Sequence, residues 1–318
     1  MKKLLKASDV KTAEDAIELV EQRGITQIKV AATDIDGILR GKYINRDKFI
    51  STLKNGLGFC DVIFGWDSSD EIYAEDSITG WKTAFPDALG HIDVTTCREL
   101  PLERNSILFL LDFERGGKHS DVCPRSLLKR VINQGKDMGI SFAAAAEFEF
   151  FMFSETPQSI RDKNYQDLTN FTPDMFGYSV IRNSVHADFY HELMDLCLEM
   201  DMPIEGVHTE TGPGVLEAAL LYDDLLKAAD RAILFKTFTK VLAQKNSLMA
   251  TFMAKYSSKY PGQSGHLHVS ASRDGKSVFY DSSKEHTMSD EMRYFVGGQQ
   301  KLMPELLSMI APTCNSYT

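Results

Sequence analysis

The stretch SFAAAAEFEFFMF, residues 141–153, limits what this chain can fold into more than any other. Glu147 and Glu149 alternate with Phe148 and Phe150, a period of two that puts both carboxylates on one face of a strand and both rings on the other. That geometry lets two acids address adjacent cations. Taken alone it is also the pattern of an antiparallel strand with one wet face. The four alanines before the pair, residues 143–146, favour the first reading because they let other elements crowd close.

Two later segments hold residues of the same chemistry. IEGVHTETGPGVLEAAL (204–220) places Glu210 and Glu217 at the two ends of a Gly-Pro-Gly loop, which fixes the chain and allows close backbone approach, although Gly-Pro pairs are also ordinary turn punctuation. GQSGHLHVS (262–270) puts His266 and His268 on one strand face after a glycine-bearing loop. Four glutamates with one histidine form an oxygen-rich set that suits Mg²⁺ or Mn²⁺ better than zinc.

The chain has 318 residues, room for two domains. Thr12 with Asp15 caps an amphipathic helix that stops at Gly24, and a hairpin joined at Asp36-Gly37 follows, from Ile28 to Ile44. Residues 59–111 have strand-and-loop texture, with the first domain ending near 100–120. Beyond it, a helix opens at Pro124, the acidic strand follows, and 155–180 form a long polar loop. Helices are expected over 185–200 and 222–244, and strands over 248–254 and 266–272. The expected class is α+β, with the second domain made of helices on an antiparallel sheet.

A net charge of -10 argues against a nucleic-acid partner, which needs clustered Lys and Arg. The five cysteines are scattered and never form a Cys-x-x-Cys pair, so they read as reduced thiols of a cytoplasmic protein. The basic tip at residues 1–3 leads into only two apolar residues, so no signal-peptide core or membrane span is expected. Asp34-Ile35-Asp36-Gly37 mimics the nucleophile motif of haloacid-dehalogenase-like phosphatases. However, Ile38 stands where Thr belongs, and the chain runs straight into a second strand.

In their order, the segments DIDGILRGK, FGWDSSDEIY, DVTTCRELP, AAAAEFEFF, GVHTETGPGVLEAAL, MATFMAKYSSKYPGQSGHLHVS and APTCNSYT resemble bacterial-type glutamine synthetase and its γ-glutamyl-amine ligase relatives. The resemblance implies a β-grasp-like domain over 1–110 and a glutamine synthetase catalytic domain over 111–318 that is incomplete at its C-terminus. It implies one metal on Glu149, Glu210 and Glu217 and a second on Glu147 and His266. It also implies ATP contacts from Glu205, His268 and Ser270, glutamate beside Gly262, and Asp67 in the loop that receives ammonia or an amine. The implied reaction forms a γ-glutamyl phosphate from ATP and glutamate, which the amine then converts to the amide, in a homo-oligomeric ring. Where the family carries a glutamine between the two metal glutamates, this chain has Val215. Pro261 replaces the usual Asn before Gly262, and Ala254 the usual Pro before Lys255, all near the glutamate pocket. The family runs on for well over a hundred residues past Tyr317, so a silent scaffold-like relative is the alternative expectation.

Overall fold

The computed structural model describes residues 4–74, 78–113 and 117–317. The basic tip at residues 1–3, and residues 114–116 within the expected end of the first domain, lie outside them. The chain forms two compact units, Met1–Val131 with Asp195–Pro203, and Ile132–Met194 with Ile204–Thr318.

The first unit opens with helix α1 (Ala13–Gln22). The side chain of its N-cap, Thr12, accepts from the Asp15 amide, and the Asp15 carboxylate accepts from the Thr12 amide, satisfying two helix-end donors. Strands β1 (Gln27–Thr33) and β2 (Leu39–Asn45) pair antiparallel around the Asp36-Gly37 turn, where Gly37 takes a φ of 73°. Helix α2 (Arg46–Asn55) starts at once from the Asn45 cap, and sequence reasoning left it out. Strands β3 (Leu57–Cys60), β4 (Asp87–Glu99) and β5 (Ile107–Asp112) complete a five-stranded sheet of order β2-β1-β5-β4-β3, in which only β1 and β5 run parallel. Its core joins Ile28 and Val30 of β1 to Ile107 and Phe109 of β5, with Phe49 of α2 stacked on Phe109 at 5.1 Å. Helix α3 (Lys118–Val122) follows, and α4 (Pro124–Asp137) ends before Gly139, whose φ of 72° terminates it.

The second unit is built on β6 (Ser141–Phe153), the range anticipated for the acidic strand. The long loop expected over 155–180 contains one short helix, α5 (Pro157–Asp162), and ends where a second, α6 (Val180–Val185), begins; α7 (Ala187–Glu199) follows, its residues from Asp195 on belonging to the first unit. The glutamate loop is the tip of a hairpin, β7 (Ile204–Thr209) with β8 (Val215–Leu220). Then come β9 (Asp223–Asp224), α8 (Leu225–Lys245), β10 (Met249–Thr251), β11 (Gly265–Arg273), β12 (Lys276–Ser277) and α9 (Asp290–Ile310). The sheet order is β12-β11-β6-β8-β7, and β9 and β10 also pair with β6, so one strand holds four neighbours. Helix α8 seals the aromatic face: Phe235 stacks on Phe148 at 5.6 Å and meets Phe150 edge-on at 6.0 Å. The carboxylates of Glu147 and Glu149 are left on the opposite face. Among the described residues, no helix is long and apolar enough to cross a membrane.

Candidate metal centre

Sheet register sets the site. Glu149 of β6 lies opposite Glu217 of β8, which lies opposite His208 of β7, so one row across three strands carries three donors. One step along β6, Glu147 faces His266 of β11. Glu210 follows β7 at the hairpin tip, where its carboxylate accepts from the Thr211 amide at 2.8 Å. Two groups result, Glu149–Glu217–His266 and His208–Glu210–Glu217, each with ligand atoms within 4.8 Å of one another. Glu217 belongs to both.

Neighbouring groups orient these side chains. The Ser264 amide and hydroxyl donate to the two oxygens of Glu149 at 3.0 and 2.7 Å. His268 Nε2 lies 2.8 Å from Glu147 Oε2. His208 Nδ1 sits 3.0 Å from its neighbour's carbonyl, Thr209 O, to which it donates, and Nε2 faces Glu217 Oε2, 3.7 Å away. The Tyr178 ring stacks on His208 with centroids 4.1 Å apart.

So many acids on one face repel each other. Burial raises the pKa of Glu217, and its hydrogen bond with Glu147 and the charges of Glu147, Glu149 and Glu210 add to this, bringing it to about 8. The Glu147 carboxyl is held below its usual range, first by that same hydrogen bond and then by His268. The pair therefore keeps one proton where two full charges would clash. A divalent cation would replace that proton, and a carboxylate-rich set with one or two imidazoles fits Mg²⁺ or Mn²⁺.

Glu217 binds its proton more tightly folded than unfolded, so its contribution to stability is fully present below about pH 4.5 and lost as pH rises toward 8. Glu147, shifted down, acts only below its ordinary range. Thermal melts of the metal-free chain should show stability falling from pH 5 to pH 8, and excess Mg²⁺ should flatten that slope. A slope of the same size in Glu217→Gln would contradict the assignment.

The other expected site residues fall in several places. Ser270, with Ser141, Ser272, Tyr222 and Asp223, lines a cavity of about 430 Å³. Glu205 lies outside that lining, exposed at the β7–β8 register shift between Ile204 and Gly206. Gly262 precedes β11 in a tight approach: a Cβ there would sit 2.8 Å from Ala254 O. Asp67 belongs to the first unit. Sequence reasoning passed over His208, Ser264 and Tyr178. Of these only His208 had a usable signal, its position two residues before Glu210.

Residues 121–318 match the glutamine synthetase catalytic-domain model. The chain belongs to the glutamine synthetase family. It is 46% identical over 293 residues to type-1 glutamine synthetase 2 of Dictyostelium discoideum, covering 91% of this chain and 56% of that protein. To a glutamate–isopropylamine ligase of Pseudomonas sp it is 31% identical over 303 residues, covering 94% of this chain and 66% of the ligase. The solved GmaS/ADP complex shares the fold with a TM-score of 0.79 at 23% identity, covering 95% of this chain and 66% of that one. The chain thus spans little more than half of the Dictyostelium protein and about two thirds of the other two. Its curated relatives in the glutamine synthetase family include named ligases of glutamate with amines.

Proposed function

We propose that this chain carries the metal, ATP and acid sites of a ligase that joins glutamate to ammonia or an amine. The observation that carries this is the register of the sheet, which lines up His208, Glu217 and Glu149 in one row and Glu147 with His266 in the next. Glu149, Glu210 and Glu217 hold one divalent ion and Glu147 with His266 the other; the side chains themselves cluster differently, His266 with Glu149 and Glu217, and Glu210 with His208 and Glu217, so Glu217 is the residue common to both clusters. Bound divalent ions supply positive charge to the phosphates of ATP. The chain's own residues do the positioning: Ser270 from its cavity, His268 from beside Glu147, and Glu205 from outside that lining contact the nucleotide, and Gly262 lets the backbone approach glutamate. Asp67 receives the amine.

The glutamate γ-carboxylate attacks the γ-phosphorus of ATP and ADP leaves; the amine then displaces phosphate and loses a proton. The mixed five-stranded sheet supports a β-grasp-like domain over 1–110, ahead of the catalytic domain over 111–318. Five unpaired cysteines support a reducing, cytoplasmic setting. A homo-oligomeric ring is proposed by family likeness.

The test is phosphate release from ATP with glutamate and a panel of ammonia, isopropylamine and ethanolamine, with the amide product identified by mass spectrometry. Amine-dependent release of phosphate and amide is expected. Metal binding without any amine-dependent release would overturn the ligase reading in favour of a silent, metal-binding relative.

A further inference from the structure

The Asp34–Gly37 motif that mimics a phosphatase nucleophile has a different job in the structure. Asp34 is fully buried, and both of its carboxylate oxygens are occupied. Oδ1 accepts from the amides of Asp36 and Ile38 at 3.0 and 2.8 Å, and Oδ2 accepts from Arg40 Nε at 2.8 Å. A carboxylate with no solvent exposure, paired with Arg40 and tied to two amides, is closed to an incoming phosphate.

Arg40 then reaches away from the hairpin with the rest of its guanidinium. Nη1 donates to Asp70 Oδ1 at 2.6 Å and Nη2 to the carbonyl of Asp67 at 3.4 Å, while the group lies over the Trp66 ring, 4.9 Å from its centre. All these partners belong to the loop Gly65–Tyr73. The loop closes on itself through Asp67 N to Glu71 O at 3.0 Å and Tyr73 N to Gly65 O at 2.9 Å. Within it, Asp67 Oδ1 accepts from the amides of Ser69 and Glu71, and Oδ2 has no hydrogen-bond partner among the described residues. Asp67 and Asp70 face a turn that itself carries Asp34 and Asp36, so the charges alone would push loop and turn apart. Arg40 is the cation acting on Asp36 there.

We propose that Arg40 is a positioning residue that clamps the Gly65–Tyr73 loop to the β1–β2 turn, so that Asp67 presents its free oxygen in a fixed place. The functional half of this rests on the reading of Asp67 as the amine-side acid. The planar fork is what the job needs, because three separate partners and a ring face are engaged at once, and a lysine ammonium cannot span them.

The test is hydrogen exchange of the Ser69, Glu71 and Tyr73 amides in the full chain, with the β1 and β5 amides as internal control. Arg40→Met should speed loop exchange at least about tenfold, the scale set by losing charge-assisted hydrogen bonds, and Arg40→Lys should fall between it and the parent. Because Arg40→Met also strips a buried carboxylate of its partner, Asp70→Asn is the second variant. It leaves the Asp34–Arg40 pair intact and should still release the loop. Unchanged loop exchange in Asp70→Asn and Arg40→Lys overturns the clamp. The KM for the amine should rise in these variants while the KM values for ATP and glutamate stay put. A released loop with an unmoved amine KM would keep the clamp and overturn the role given to Asp67.

Discussion

Glu217→Gln is expected to make the metal-free chain more stable and at the same time nearly unable to bind Mg²⁺ or Mn²⁺. The two effects have one cause. Glu217 is 8% exposed and faces three other carboxylates, which is why it retains a proton to about pH 8. Glutamine keeps the shape and the hydrogen bond to Glu147 but removes the charge that neither burial nor the neighbours tolerate. Because Glu217 belongs to both donor groups, its loss leaves each with two ligands. Affinity should fall by at least about 100-fold, the upper end of what removing even a supporting group behind a ligand costs. Calorimetric metal titration and melts with and without metal read both effects. A variant that still gains thermal stability on metal addition would place the ion elsewhere.

The second large effect is expected at Gly214, in comparison with Gly139. Both have a φ of 72°, so an alanine at either meets the same left-handed backbone penalty of about 1–2 kcal/mol. Their surroundings differ. A Cβ on Gly139 meets nothing within 4 Å, whereas one on Gly214 would lie 2.4 Å from Met152 O and 3.1 Å from Phe171 N. Both are backbone atoms and cannot swing aside, and Met152 N donates to Gly214 O at 2.7 Å in the same place. Gly214→Ala must therefore push the hairpin tip off β6, adding about 1–3 kcal/mol or more of overpacking and parting Glu210 from Glu149. Denaturant unfolding should show Gly139→Ala as mild and Gly214→Ala as severe, with metal binding lost only in the latter. Equal costs would mean that the close approach at Gly214 is not used.

Much of this site was legible in the sequence, because its signals are local. The period-two alternation of Glu147 to Phe150 places β6 at its observed bounds, and the Thr12–Asp15 capping box starts α1 at Ala13. What was not legible depends on contacts distant in sequence. Tyr178 reaches His208 across 30 residues from an irregular loop, so no spacing reveals it. Helix α9 was hidden for another reason. Gly297, Gly298 and Pro304 punctuate it as turn residues would, and no residue of the helix is buried, so no buried face marks it either, yet it runs from Asp290 to Ile310. Helix α2 is short and follows β2 without a break, so only its Asn45 cap announces it. His208 was within reach, since its position two before Glu210 is the same alternation read correctly on β6.

The four-way pairing of β6 also bears on how the molecule is made. Its partners lie between residues 215 and 273, so when Phe153 leaves the ribosome none of them exists yet. Until Leu220 follows, a thirteen-residue segment rich in alanine and phenylalanine waits with both edges open, and until Arg273 follows it keeps one edge open, the kind of stretch that stacks on copies of itself. Glu147 and Glu149 break that apolar run with two like charges. The carboxylates that crowd the finished site thus break the apolar run of the nascent chain before β8 and β11 exist to build a metal site around them.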